Sequence, residues 1–142
     1  MTTSEQTIRQ LMEELIPFNR HLGVRLAALR PGFARLELPF REEFVGNPLS
    51  RVLHGGVISA LIDNCGGAAV WSQIEEGDLV ATVDLRVDYL RPTPSRDVAC
   101  EGVVQRLGNR VGVAEMRLFT IADPGTLLAT GKGVYNVRRA EG

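Results

Sequence analysis

The chain has 142 residues, 44% of them hydrophobic, with 16 basic against 17 acidic side chains and a formal net charge of −1. This length and apolar content suit one domain over residues 1–142 with a core of its own. The near-neutral charge gives no electrostatic reason to expect nucleic acid or an anionic membrane as a partner. Two cysteines, Cys65 and Cys100, have no metal-like spacing, and there are only two histidines. No metal or cofactor is expected, and the cysteines read as reduced thiols of a cytoplasmic protein. The first residues lack the basic and apolar regions of a signal peptide, and no apolar run free of turn residues reaches membrane-spanning length.

Residues 5–16 carry Ile8, Leu11, Met12, Leu15 and Ile16 on one helical face, with a capping box in Thr3-Ser4-Glu5-Gln6 and Pro17 as the stop. Leu22–Leu29 and Ala34–Phe40 read as strands joined at Pro31-Gly32, forming a hairpin. A polar loop over 41–53 contains Gly46-Asn47-Pro48 and leads into a long helix from Gly56 to about Ile74, ended by Glu75-Glu76-Gly77-Asp78. Four strands follow: Val80–Leu90, Val98–Leu107, Val111–Ile121 and Leu127–Val137. With no helical pattern between them, they predict an antiparallel meander. Arg138–Gly142 reads as a frayed tail. The sum is an α+β domain, a curled antiparallel sheet of about six strands around one central helix, with a short helix at the N-terminus.

The long helix is apolar on nearly every side, so it must be buried. Its one carboxylate, Asp63, costs several kcal/mol to bury unless it is paired or used, which makes it the first functional suspect. Gly55 and Gly56 open the helix where backbone N–H groups lack intrahelical partners and the macrodipole is positive, and without Cβ atoms a ligand oxygen can approach closely. Ser59, Ala60, Gly66 and Gly67 share the face of Asp63, a small-residue strip that predicts close approach by a ligand or a second copy of the helix.

Leu53-His54-Gly55-Gly56 with Asp63 nine positions after the histidine resembles the motif of hotdog-fold acyl-CoA thioesterases of the phenylacetate-pathway (PaaI-like) type. Asn47 upstream, and Thr82-Val83-Asp84 and Tyr89-Leu90-Arg91-Pro92 downstream, extend the likeness over roughly residues 18–137. The resemblance implies a homodimer or homotetramer with the active site between subunits. It implies that the Gly55 amide polarises the thioester carbonyl and that Asp63 is the nucleophile or general base. It further implies that Asn47 orients water or substrate and that Thr82 supports the carboxylate. His54 is a candidate for direct chemistry but more often such a residue orients its loop. Gly56 and Asn64 beside the motif, and Arg91, Arg106 and Arg110 for coenzyme A phosphates, are candidates for substrate binding. Coenzyme A belongs to the substrate and is no cofactor.

Strand alternation sets Thr82 with Asp84 and Arg86, pointing away from the helix unless the strand opens with a bulge. Cys65 reads as a core thiol without a base beside it. Thioester hydrolysis is the reading the motif favours. The alternatives are a hydratase or dehydratase, which needs a histidine-containing loop not found here, and a non-catalytic acyl-CoA sensor, which needs no helix acid.

Overall fold

A single 17-residue helix, α3 (Gly55–Trp71), lies across one face of a six-stranded antiparallel sheet. The computed structural model describes residues 1–141. The strands are β1 (Arg25–Arg30), β2 (Phe33–Leu38), β3 (Leu79–Tyr89), β4 (Val98–Leu107), β5 (Val111–Thr120) and β6 (Ala129–Arg138). Alternate residues of β2, β4, β5 and β6 turn inward. Ala34, Leu36 and Leu38 meet Ile58, Leu61, Ile62 and Cys65 of the helix in one continuous core with Cys100, Met116 and Leu118. The helix buries Ile58, Leu61, Ile62 and the whole of Cys65–Val70 against the sheet, while Gly56 is exposed and Ser59, Ala60, Asp63 and Asn64 stay half-buried, so the sheet covers less of it than its apolar sequence predicts.

Four details depart from the sequence reading. The strands run β1-β2-β4-β5-β6-β3, so only β4, β5 and β6 form a meander. The chain leaves α3, forms β3 at the far edge against β6, then crosses to place β4 beside β2. At the N-terminus, α1 (Glu5–Gln10) passes into a π-helical turn (Leu11–Leu15) that stops before Pro17 as expected, and Pro17 also starts a second helix, α2 (Pro17–Leu22). Proline lacks an N–H that the first helical position does not need, and it holds Ile16 extended, with ψ 112°. Leu22 therefore closes a helix, and β1 begins three residues later, after Gly23 at φ 82°. The C-terminal tail is tied down: the Asp78 carboxylate accepts from the Arg139 guanidinium at 2.9 Å and from the Ala140 N–H at 2.8 Å. Gly142 lies outside the described residues.

The fourth concerns Gly66 and Gly67. Gly66 is bare because Tyr135 of β6 crosses the core beneath it. A Cβ at Gly66 would overlap the Tyr135 hydroxyl and sit 2.8 Å from Met116 Sδ. A Cβ at Gly133 would likewise overlap the Tyr135 ring. The close packing that Gly66 signals is thus internal to the chain. Gly67 has only Tyr135 Cε1 near it, at 3.8 Å.

The two sheet edges differ. At β1 the Leu26 N–H donates to the Glu13 carboxylate at 2.8 Å and its carbonyl accepts from Arg9 at 2.6 Å, so the N-terminal helical segment covers that edge. Over its 11 residues, β3 pairs with β6 alone and is the last strand of the sheet, with no strand paired to its other edge among the described residues.

Candidate active site

Asp63 sits two turns into α3, half-buried, in a cleft of about 130 Å³ walled by Met12, Ile16, Trp71, Val80 and Tyr135. Its Oδ1 accepts a hydrogen bond from Thr82 Oγ1 at 2.8 Å. The sequence alternation places Thr82 on the wrong side, and the structure shows why it is not there. Thr82 pairs with Tyr135 and Asp84 with Val134, leaving Val83 as an extra residue in β3. This bulge puts Thr82 on the helix side with Val80, while Asp84 and Arg86 stay outside. Val83 is turned outward and is 65% exposed.

The backbone of Asp63 is held as well. Tyr135 donates its hydroxyl to the Asp63 carbonyl at 3.0 Å. Burial, and next the nearby Asp63 carboxylate, push the ionisation of this phenol well above its ordinary range, so it remains a donor at neutral pH. One residue on, Asn64 spends its side chain on structure. It donates to the Ala60 carbonyl at 2.8 Å and accepts from the buried Asn19 of α2 at 2.8 Å.

The helix start is a second constellation. His54 is the N-cap: its Nδ1 accepts from the Gly56 N–H at 2.8 Å. That occupies the Gly56 donor and leaves the Gly55 N–H without an acceptor among the described residues, at the positive end of a 17-residue helix. The Gly55 carbonyl accepts from the Tyr89 hydroxyl at 2.9 Å. Gly46 brings the loop against this turn, because a Cβ there would stand 2.5 Å from His54 Cα. The His54 N–H donates to the Phe44 carbonyl at 2.8 Å and the Gly46 N–H to Val52 at 2.9 Å.

Of the residues singled out from sequence, the structure brings Asp63 and Thr82 together, and separately His54, Gly55 and Gly56. Asn47 joins neither within one chain. Its Oδ1 accepts from the Leu49 and Ser50 N–H groups and closes its own loop. Arg91 lies beyond β3 and donates to the Leu127 carbonyl at 2.7 Å. Arg110 is in the β4–β5 turn, next to Gly112, which packs on Val70 near the opposite end of α3 from Gly55. Tyr89 and Gly46 fall within the stretches singled out from sequence but carry no role there, and Asn19 and Tyr135 are not singled out at all. Gly133 in β6 is the available signal for Tyr135, since a bare position two residues away on the same face of a strand makes room for a large ring.

Along the helix, Gly55 and Asp63 are eight residues apart, about 12 Å. One chain therefore carries a backbone donor suited to a developing oxyanion and a carboxylate suited to base or nucleophilic work, too far apart to meet at one carbonyl. Residues 51–125, just over half the chain, match the thioesterase superfamily. The chain belongs to that superfamily. The medium/long-chain acyl-CoA thioesterase YigI of Escherichia coli is 34% identical, with 82% of this chain and 85% of YigI aligned. A relative from Halobacterium salinarum, named as an esterase, is 38% identical over 83% of this chain and 82% of its own length. A solved thioesterase family protein of Silicibacter pomeroyi superposes with a TM-score of 0.86 at 26% identity, covering 95% of this chain and 98% of that one. The fold is the hotdog fold of this superfamily, and the chain is a hydrolase of thioesters.

Proposed function

We propose that the protein hydrolyses acyl-CoA thioesters in a site shared by two copies, with Asp63 of one facing the helix start of the other. The observation that carries this reading is the Thr82–Asp63 hydrogen bond at 2.8 Å in a cleft that Met12, Ile16, Trp71 and Val80 also line. A hydroxyl that donates to a carboxylate fixes its direction and leaves its second oxygen for a water or an acyl carbon. The unpartnered Gly55 N–H supplies the oxyanion donor, worth about 3–4 kcal/mol of transition-state stabilisation for groups of this kind. Water adds to the carbonyl carbon, its proton passes to Asp63, and the C–S bond breaks to release the thiolate of coenzyme A, which takes up the proton. In the variant with Asp63 as nucleophile, an anhydride forms first and water then cleaves it. No metal or further cofactor takes part in either route.

The open β3 edge supports the paired assembly, since a long uncovered strand is a template for a second strand and a second copy removes the hazard. The apolar walls from Met12, Ile16, Trp71 and Val80 suit the acyl part, and a medium-chain or aromatic group is the class assigned here. Asn47, free on its amide nitrogen side, and His54 line the approach from the partner's side. The two buried free thiols support a reducing, cytoplasmic setting.

The test is free-thiol release from acetyl-, hexanoyl-, palmitoyl-, benzoyl- and phenylacetyl-CoA by wild type, Asp63→Ala and Asp63→Asn. Wild-type turnover with loss of about two or more orders of magnitude in both folded variants is expected. Binding without thiol release by wild type would make the protein a sensor, and full activity in the variants would make Asp63 structural. Single-turnover hydrolysis in ¹⁸O-water, with mass analysis of Asp63, separates base from nucleophile.

A further inference from the structure

We propose that Gly67 and Trp71 measure the acyl group, ending its slot beside Asp63 after about six carbons or one aromatic ring. The proposal rests on the thioesterase reading above and narrows its substrate.

Asp63, Gly67 and Trp71 are spaced four residues apart, so they form one row along a single face of α3. All three line the same cleft of about 130 Å³. Its polar groups, Asn64 and Thr82, stand at the Asp63 end and are already hydrogen-bonded within the chain. Beyond them the row runs between apolar walls to Trp71. Glycine weakens a helix interior, so each glycine in α3 calls for a reason. At Gly66 the reason is the Tyr135 hydroxyl. At Gly67 no neighbour supplies one, because an added Cβ would meet only Tyr135 Cε1, at 3.8 Å. An acyl group lying across the bare position does.

Trp71 closes the row. A helical side chain leans back over the turn before it, which carries the indole toward Gly67. The ring is half-buried and packs on the core, so it is a fixed stop. The opposite wall comes from the π-helical turn, where the Ile16 N–H donates to the Leu11 carbonyl at 3.1 Å, five residues back. Met12 in that turn and Ile16 at its end both line the cleft, and such turns recur at functional sites. The size follows from the volume. An apolar cavity of about 150 Å³ holds one benzene, so this cleft takes a hexanoyl tail or a phenyl ring and leaves a longer chain outside.

The chain has one tryptophan, so its emission reports the far end of the slot directly. One arm of the experiment measures kcat/KM for acetyl-, hexanoyl-, decanoyl- and palmitoyl-CoA in wild type, Trp71→Leu and Gly67→Ala. The other follows the wild-type emission at saturation with S-methyl-CoA and S-hexyl-CoA, thioethers that cannot be hydrolysed. Each methylene newly buried is worth about fourfold. Wild type should gain on the order of a hundredfold from acetyl to hexanoyl, and less than about fourfold from hexanoyl to decanoyl. Trp71→Leu should raise the decanoyl-to-hexanoyl ratio about tenfold or more, and Gly67→Ala should lower the hexanoyl-to-acetyl ratio about fivefold or more. S-hexyl-CoA should shift the emission to the blue and S-methyl-CoA should not. A wild-type kcat/KM that keeps climbing to palmitoyl, an unmoved ratio in either folded variant, or equal emission with both thioethers overturns the proposal. Where Trp71→Leu does not fold, Gly67→Ala decides, since nothing in the core opposes its methyl group. A blue shift specific to S-hexyl-CoA without thiol release from any thioester keeps the slot and removes the hydrolytic reading instead.

Discussion

Two adjacent glycines in α3 should respond in opposite directions to the same substitution. In an exposed helix interior, Gly→Ala gains about 1 kcal/mol. At Gly67 nothing in the chain opposes that gain, because the nearest atom to an added Cβ is Tyr135 Cε1 at 3.8 Å. Gly67→Ala should stabilise the fold by about 0.5–1 kcal/mol. At Gly66 the Cβ would overlap the Tyr135 hydroxyl and press on Met116 Sδ at 2.8 Å and Tyr135 Cζ at 2.9 Å. Overpacking a filled core costs about 1–3 kcal/mol, and displacing the hydroxyl from the Asp63 carbonyl forfeits about 1 kcal/mol more. After subtracting the helix gain, Gly66→Ala should destabilise by about 2 kcal/mol, roughly 6 °C in Tm for a chain of this size. The double variant with Tyr135→Phe should recover part of the loss, because the overlapping oxygen is gone. Urea and thermal unfolding at fixed protein concentration measure all four proteins. Equal shifts of the same sign at 66 and 67 would refute the assignment of Gly66 to Tyr135.

Three further predictions follow from the same contacts. Thr82→Val keeps the shape and removes the donor to Asp63, so kcat should fall about tenfold with Tm nearly unchanged, read by steady-state thiol release. Gly46→Ala drives a Cβ into the His54 backbone, where no flexible side chain can yield, so the loop must move. Activity should fall more than about tenfold, with a stability loss of about 1–3 kcal/mol in urea. The Ala140 N–H, and next the Arg139 side chain, hold the Asp78 carboxyl below its ordinary value. A depressed carboxyl stabilises the fold above the unfolded value of about 4, and that contribution is lost as pH falls through the folded value. Urea midpoints between pH 7 and 3 should therefore fall more steeply for wild type than for Asp78→Asn, and the two curves should converge at the acid end.

Where one residue type dictates one outcome, the sequence was enough. A helix apolar on all sides, from Gly55 to Trp71, had to be wrapped by a sheet, and alternation in Ala34–Leu38 and Val111–Leu118 gave strands with one inner face. The motif also placed a carboxylate and a glycine helix start on one element. Three other features depend on neighbours that a linear reading does not contain. The position of β3 follows from which flank of the helix the chain descends, not from any residue in it. Bare glycines announce space without saying who fills it, and Gly66 is filled by Tyr135, 69 positions later by sequence number. Thr82 was misplaced by alternation because a single inserted residue, Val83, inverts the parity of everything before it.

That inversion shows how the site is divided. Every group that orients Asp63 belongs to the same chain: Thr82 holds the carboxylate, Tyr135 holds the carbonyl, and Asn19 through Asn64 holds the next residue. All three act from the sheet or from α2 and leave the cleft open. The donor at Gly55 is equally prepared, with His54 taking the competing Gly56 N–H and Tyr89 fixing the carbonyl. Each half is rigid without the other, yet one straight helix keeps them about 12 Å apart. Rigid halves cannot be closed by bending α3, because its length is packed in the core. On the proposed reading, reaction at a single thioester carbonyl draws on the complementary half of another molecule, so a substitution that blocked pairing at β3 should abolish hydrolysis while leaving the Thr82–Asp63 bond intact.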